Sequence, residues 1–156
     1  MITIENDNIL NASENIICQQ VNTCGVMGSG LAKQIRDRNP EIFLKYKKYC
    51  DSHSKQEMMG KVLCYPIGLL KYVCCIFGQE NFGRNKNIVY TDYGALEKGF
   101  EIVKDECIKN NWTIAIPYGI GCGLANGDWN IVFGIINKVF DDINITLYKY
   151  NKPNRM

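Results

Sequence analysis

A chain of 156 residues with 46% hydrophobic and 22% charged residues has the composition of a folded globule, long enough for one buried core without metal or disulfide staples, which excludes a disordered segment. A formal charge of +2 and a pI of about 8.1 are too mild for a surface that coats nucleic acid, so charge gives a nucleic-acid partner no support. No apolar run approaches a membrane span, and Met1-Ile2-Thr3-Ile4-Glu5 lacks the basic-then-apolar start of an export signal; the expectation is a cytoplasmic protein with no membrane partner.

In chain order, Ile2 to Ile4 and Asn15 to Val21 read as strands, the second carrying the continuous apolar run Ile16-Ile17-Cys18 of a strand buried on both faces. A helix follows Gly28 and Gly30 and carries Leu31 and Ile35 inward. Pro40, at a first-turn position, opens a second helix with Ile42, Phe43, Tyr46 and Cys50 at helical spacing, ended by Asp51-Ser52-His53-Ser54. Lys61 to Tyr65 and Tyr72 to Phe77 pattern as a hairpin around Pro66-Ile67-Gly68, and Gly78 to Asn87 is loop. Thr91 is the predicted N-cap of a helix bearing Tyr93, Leu96, Phe100, Val103 and Cys107, which stops at Asn110-Asn111. Trp112 to Ile116 is a strand, Asp128 starts a helix with Val132, Ile136, Val139 and Phe140 inward, and Asn144 to Tyr148 is the last strand. The sum is a three-layer α/β fold around a mixed sheet, without internal repeats.

The eight cysteines include no C-x-x-C pair and mostly sit in apolar runs such as Tyr72-Val73-Cys74-Cys75-Ile76, so they read as small buried hydrophobes in a reducing compartment. With His53 the sole histidine, neither a zinc site nor a Cys/His nucleophile pair is indicated.

Two glycine-rich loops each leave a strand and enter a helix: Asn22-Thr23-Cys24-Gly25-Val26-Met27-Gly28-Ser29-Gly30, and Gly119-Ile120-Gly121-Cys122-Gly123-Leu124-Ala125-Asn126-Gly127-Asp128. Such loops lie at the carboxyl ends of strands, where glycine lets backbone amides approach phosphate oxygens and the following helix offers free N–H groups to an anion. Neither loop matches G-x-x-x-x-G-K-[ST] or G-x-G-x-x-G, which disfavours an ordinary nucleotide triphosphatase or dehydrogenase and leaves a diphosphate ligand as the physical reading.

The first stretch, through Leu31 and Ala32, resembles the first ligand loop of macro domains; Ile116-Pro117-Tyr118-Gly119-Ile120-Gly121-Cys122-Gly123-Leu124, with Trp129 shortly after, resembles the second. The similarity runs from Ile2 to Tyr148 and is nearest the branch of ADP-ribose-1''-phosphate phosphatases, terminal ADP-ribose glycohydrolases and DNA ADP-ribosyl glycohydrolase antitoxins. It implies a single macro domain over residues 1–156, a three-layer α/β/α fold, a monomer, and ADP-ribose or an ADP-ribose-derived small molecule as ligand, with no metal and no cofactor. Adenine is then expected beside Asn8 and Ile9 and packed by Tyr148 or Tyr150. The diphosphate lies between Gly25, Val26, Met27, Gly28, Ser29 and Gly30 on one side and Pro117, Gly119, Ile120, Gly121, Cys122, Gly123 and Leu124 on the other, with the distal ribose beside Asn22. Asn8 stands where many macro domains place an aspartate; it reads either as a weaker acceptor for the adenine amino group or as a turn residue, and Tyr148 either as an adenine contact or as sheet core.

Related hydrolases of this branch use a lysine in the loop after the fourth strand and an aspartate in the second glycine loop. Here Phe77-Gly78-Gln79-Glu80-Asn81-Phe82-Gly83 has no lysine before Lys86, Ala125 takes the aspartate position, and Gln19 stands where phosphatase-like sequences often carry histidine. Asn22 and Asp128 remain as catalytic candidates, with helix capping the favoured role for Asp128. Gly78 to Lys86 reads first as a solvated loop; the alternative brings Gln79, Glu80 or Arg84 to the distal ribose, Arg84 toward a terminal phosphate. Three functions follow: hydrolysis of a substituent on the distal ribose, as in ADP-ribose-1''-phosphate phosphatases; non-catalytic reading or sequestering of an ADP-ribose-derived signal; or ADP-ribosyl hydrolysis on protein or DNA.

Overall fold

The computed structural model describes residues 1–150; residues 151–156, the end of the expected 1–156 unit, lie outside the described part. Six strands form one sheet: β1 (Ile2–Glu5), β2 (Ile16–Asn22), β3 (Val62–Gly68), β4 (Lys71–Gln79), β5 (Ile114–Pro117) and β6 (Ile145–Tyr148), in the order β1-β6-β5-β2-β4-β3. All neighbours are parallel except β3 and β4, so the sheet is mixed. The apolar runs of β2, β4 and β5 are buried on both faces, while edge strand β3 alternates between half-buried and exposed.

Side-chain alternation along β2 divides the core. Ile17 and Val21 pack with Ile35, Ile42, Tyr46 and Met58 of α1 (Gly30–Arg38), α2 (Pro40–Ser52) and α3 (Lys55–Met58). Ile16 and Cys18 pack with Leu96, Phe100, Val132 and Ile136 of α4 (Tyr93–Asn110) and α5 (Trp129–Val139). Each of these large side chains, taken from water, contributes about 1.5–3 kcal/mol, and the two clusters hold the helices on opposite faces.

That layering places the site. β2 and β5 are parallel neighbours, yet the chain leaves β2 for α1 on one face and β5 for α5 on the other. Adjacent strands whose exits diverge in this way open a crevice at their carboxyl ends, the usual ligand position of an open α/β sheet.

Several local expectations are corrected. The hairpin turns at Leu69-Leu70, with Leu70 at φ 51, rather than at Pro66-Ile67-Gly68; Pro66 stays within β3 because an edge strand can lose an N–H without breaking a ladder. Asp92, not Thr91, caps α4, its side chain accepting from the Ala95 N–H. Gly78 and Gln79 belong to β4. Ser54 and Glu57 form a reciprocal capping box that starts α3, and Ile9–Asn11 forms a short 3-10 turn; neither element was expected. The cysteines are not uniformly buried thiols: Cys64 and Cys74, directly opposite across the β3–β4 ladder with Cα atoms 4.2 Å apart, form a disulfide. Cys18, Cys75 and Cys107 are buried free thiols, as a small hydrophobe should be.

Candidate functional site

A cavity of about 750 Å³ occupies the crevice, within the range of small-molecule sites. The ends of β2 and β5, both glycine loops, the first turn of α1 and part of the β4–α4 segment form its walls.

The first loop is fastened from below. Asn22 ends β2 and is buried, 7% exposed. Its Oδ1 accepts from the Cys24 N–H (3.0 Å) and the Val26 N–H (3.3 Å), and its Nδ2 donates to the Val26 carbonyl (2.9 Å). The hydroxyl of Tyr46, fully buried in α2, donates into the Asn22 carbonyl and Oδ1 at 2.5 and 2.8 Å. Burial drives the Tyr46 phenol pKa far up, so it stays a donor. Asn22 thus holds the loop with most of its hydrogen-bonding capacity and keeps one Nδ2 hydrogen for a ligand. Gly25 supplies the turn at φ +77, and the loop delivers the chain to Ser29, an extended N-cap whose side chain makes no capping bond. Gly30, Leu31 and Ala32, at the start of α1, line the cavity, and no side chain caps this helix; Gly30 itself is left-handed at φ +59.

The second loop is fastened from the side. Gly121, at φ +75, points its carbonyl at the Thr91 hydroxyl (2.6 Å) and the Gly127 N–H (2.9 Å), which donate to it. Thr91 in turn accepts from Gln20 Nε2 (2.9 Å), which also donates to Gln79 Oε1 (3.0 Å). Asp128 caps α5, accepting from the Asn130 N–H at 2.9 Å. The expectation that both following helices offer free N–H groups therefore holds for α1, whereas at α5 a carboxylate of the chain already occupies that place.

The β4–α4 segment is exposed from residue 80 to 89 apart from half-buried Gly83, in keeping with a solvated loop, and it is tied at several points to the second glycine loop. Tyr90 N–H donates to the Ala125 carbonyl (2.8 Å), and Asn126 Nδ2 donates to the carbonyls of Asn85 (3.0 Å) and Ile88 (2.7 Å). So tied, the segment presents Gln79, Phe82, Gly83 and Arg84 to the cavity, while Glu80 is not on it.

Of the predicted residues, Asn22, Val26, Gly28, Ser29, Gly30, Pro117, Gly119, Ile120, Gly121, Gly123 and Leu124 come together on the cavity. Gly25, Met27 and Cys122 shape the loops without lining it, Met27 being fully buried. Asn8 caps the 3-10 turn by accepting from the Leu10 N–H, Ile9 packs in the core, and the Tyr148 hydroxyl donates to Glu14 Oε1 at 2.5 Å. Tyr150 is exposed, and Asp128 also lies off the cavity wall. Sequence reasoning named Leu31, Ala32, Tyr118 and Phe82 only as members of their loop stretches and did not place Gln20 at the site. The glutamine pair was legible as a signal: two adjacent amides interrupt an apolar strand, and the Oε1 atoms of Gln19 and Gln20 are buried on the cavity wall without a protein partner. A buried acceptor left so costs about 1–3 kcal/mol.

Among the described residues lining the cavity, Arg84 alone is formally charged, and no carboxylate, lysine, histidine or cysteine joins it. The second-loop thiol, Cys122, is pushed up to about 11, first by burial and then by the Asp128 carboxylate, so it stays protonated near neutral pH. His53 stacks on Tyr49 at 3.9 Å, on a helix surface.

No family model matches the chain. It is 26% identical over 154 residues, 95% of this chain, to a DNA ADP-ribosyl glycohydrolase of Mycobacterium tuberculosis, and spans 42% of that protein's length. The solved macrodomain of Mycobacterium tuberculosis DarG superposes with a TM-score of 0.78 at 24% identity, covering 98% of this chain and 99% of that one. Thermosipho africanus DarTG, solved in complex with ADP-ribose, superposes with a TM-score of 0.77 at 19% identity over 99% of this chain and 43% of its own. Near-complete superposition on such structures makes this chain a macrodomain by fold.

Proposed function

We propose that the cavity binds ADP-ribose or an ADP-ribose derivative. The observation that carries the reading is the uncapped N-terminus of α1 opening on a crevice bounded by two glycine loops, which suits a diphosphate. The remaining Asn22 amide hydrogen suits a ribose hydroxyl, and a volume of about 750 Å³ accommodates a dinucleotide-like ligand. Holding the ligand without turnover, as a reader or sponge in the cytoplasm, fits best with a wall that lacks acid and base side chains.

Hydrolysis of a substituent on the distal ribose, whether a phosphate or an ADP-ribosyl link to protein or DNA, is the second reading. Similarity along 95% of the chain to a glycohydrolase favours it. Without a side-chain base on the wall, attack by water would depend on orientation by Asn22 and backbone amides and on proton acceptance by the ligand itself.

The two readings separate when the protein is incubated with ADP-ribose-1''-phosphate, ADP-ribosylated protein and ADP-ribosylated DNA, and both product and bound ligand are measured by mass spectrometry. Stoichiometric binding without product selects the reader; product from one substrate selects the hydrolase. Absence of binding to all three and to free ADP-ribose by calorimetry sinks the assignment.

A further inference from the structure

We propose that Thr91 is a positioning residue of the cavity: its hydroxyl holds the Gly121 carbonyl turned outward, and that orientation lets the second glycine loop accept an anionic ligand. The proposal rests on the ADP-ribose reading of the cavity and goes beyond it in naming a side chain, itself off the wall, on which affinity depends.

At its glycines the second loop offers a ligand backbone alone, and backbone carries both signs. A peptide has an N–H on one side and a carbonyl on the other, so the same bare loop attracts or repels a diphosphate according to how its peptide planes are turned. Gly119, Gly121 and Gly123 line the cavity, and their N–H groups make no hydrogen bond with another described residue. At φ +75, Gly121 has a freedom that a side chain would deny it, so its own backbone does little to fix where its carbonyl points. That carbonyl accepts from the Thr91 hydroxyl (2.6 Å) and the Gly127 N–H (2.9 Å), and neither donor is on the cavity wall. The Gly127 bond closes the loop on itself; Thr91 reaches it from 30 residues away in the chain.

The neighbours of Thr91 commit its hydroxyl to that bond. Gln20 Nε2 donates to the Thr91 oxygen (2.9 Å) and to Gln79 Oε1 (3.0 Å), while Gln79 Nε2 donates to the Asn81 carbonyl (2.9 Å). The reverse Gln20 amide would set a second oxygen against Gln79 Oε1. A hydroxyl has one hydrogen, and with a donor already on its oxygen Thr91 gives that hydrogen to Gly121. The bonds therefore run in one direction from β2 to the second loop, through a threonine only 5% exposed, where water has little access to replace it. A side chain at Gly78 would collide with the Gln20 amide, so the strand leaves room for the relay. Without the Thr91 hydroxyl the Gly121 carbonyl keeps the Gly127 bond alone, and rotation toward the cavity sets its negative end against a diphosphate.

Calorimetric titration of the wild-type protein, Thr91→Val and Thr91→Ser with ADP-ribose tests the proposal, together with the NMR shift of the Gly121 carbonyl carbon in each protein before ligand is added. Valine keeps the volume and loses the hydroxyl; serine keeps the hydroxyl. In Thr91→Val the Kd is expected to rise about tenfold and the Gly121 shift to leave its wild-type value, and in Thr91→Ser both should return close to wild type. Where Thr91→Val does not melt as a folded protein, Gln20→Met, which removes the donor that directs the hydroxyl, is read in its place and should move both quantities the same way by less. An unchanged Kd in the variant read, a weaker Kd with an unmoved Gly121 shift, or a loss that Thr91→Ser does not restore overturns the positioning role while leaving the cavity assignment standing. Failure of the wild type to bind ADP-ribose overturns both.

Discussion

The two glycine loops are alike in sequence and differ in what they leave free. The first ends in Ser29, which does not cap α1, so the helix start faces the cavity unoccupied by the chain's own groups. The second ends in Asp128, whose carboxylate satisfies the start of α5. A glycine-rich passage from strand to helix therefore announces an approach of backbone to ligand, but the residue at the N-cap decides whether the helix itself takes part. The first loop contributes a helix terminus, the second a surface of backbone without side chains at Gly119, Gly121 and Gly123.

The largest effect should come from closing the bare surface. Gly123 lines the cavity, its backbone is not left-handed, and a Cβ there meets nothing within 4 Å, so Gly123→Glu installs a carboxylate without strain. Its affinity for ADP-ribose should fall by about 100-fold or more, while its melting temperature stays near wild type; retained affinity would remove the second loop from the site. Gly121→Glu is the poorer test, because Gly121 sits at φ +75 with Thr91 Oγ1 only 3.0 Å from the added Cβ.

Exchanging the caps sharpens the contrast. Ser29→Asp puts a carboxylate at the uncapped start of α1, as Asp128 does at α5, and should weaken ADP-ribose binding about tenfold. Asp128→Ala should lower stability by about 1 kcal/mol in denaturant titration. A loss of turnover exceeding that loss of folded protein would instead assign Asp128 to chemistry.

A pH effect is common to both halves of the core. Burial raises Cys75 and Cys107 to about 12, above the value near 9 that each thiol has when solvated. The folded state therefore holds protons that the unfolded chain releases above about pH 9, and stability should be whole below that pH and decline from there toward 12. A melting temperature constant from pH 8 to 11 would contradict these burials.

Much of this arrangement is visible in the sequence because alternating apolar patterns and the two glycine stretches are local signals. What escaped depended on partners distant in the chain. Thr91 and Asp92 are adjacent and equally able to cap, and only the approach of Gly121 draws Thr91 away. The segment after Gln79 is the exposed loop its composition suggests, but its ties to Ala125 and Asn126, which bring residues 82–84 to the cavity, had no local signal. Cys64 and Cys74 face each other only in the register set by a turn at Leu69-Leu70. Gln19 and Gln20 were legible as polar interruptions, but their neighbours follow from strand order.

The phenol of Tyr46, deep in the α2 layer, has a consequence for thermodynamics beyond holding Asn22 in place. Fixing a residue's backbone costs roughly 1–2 kcal/mol, and here residues 23–29 are ordered by groups that belong to the core. Folding bears that entropy before any ligand arrives, so association with the first loop would draw little from ordering and proceed as docking onto a set surface.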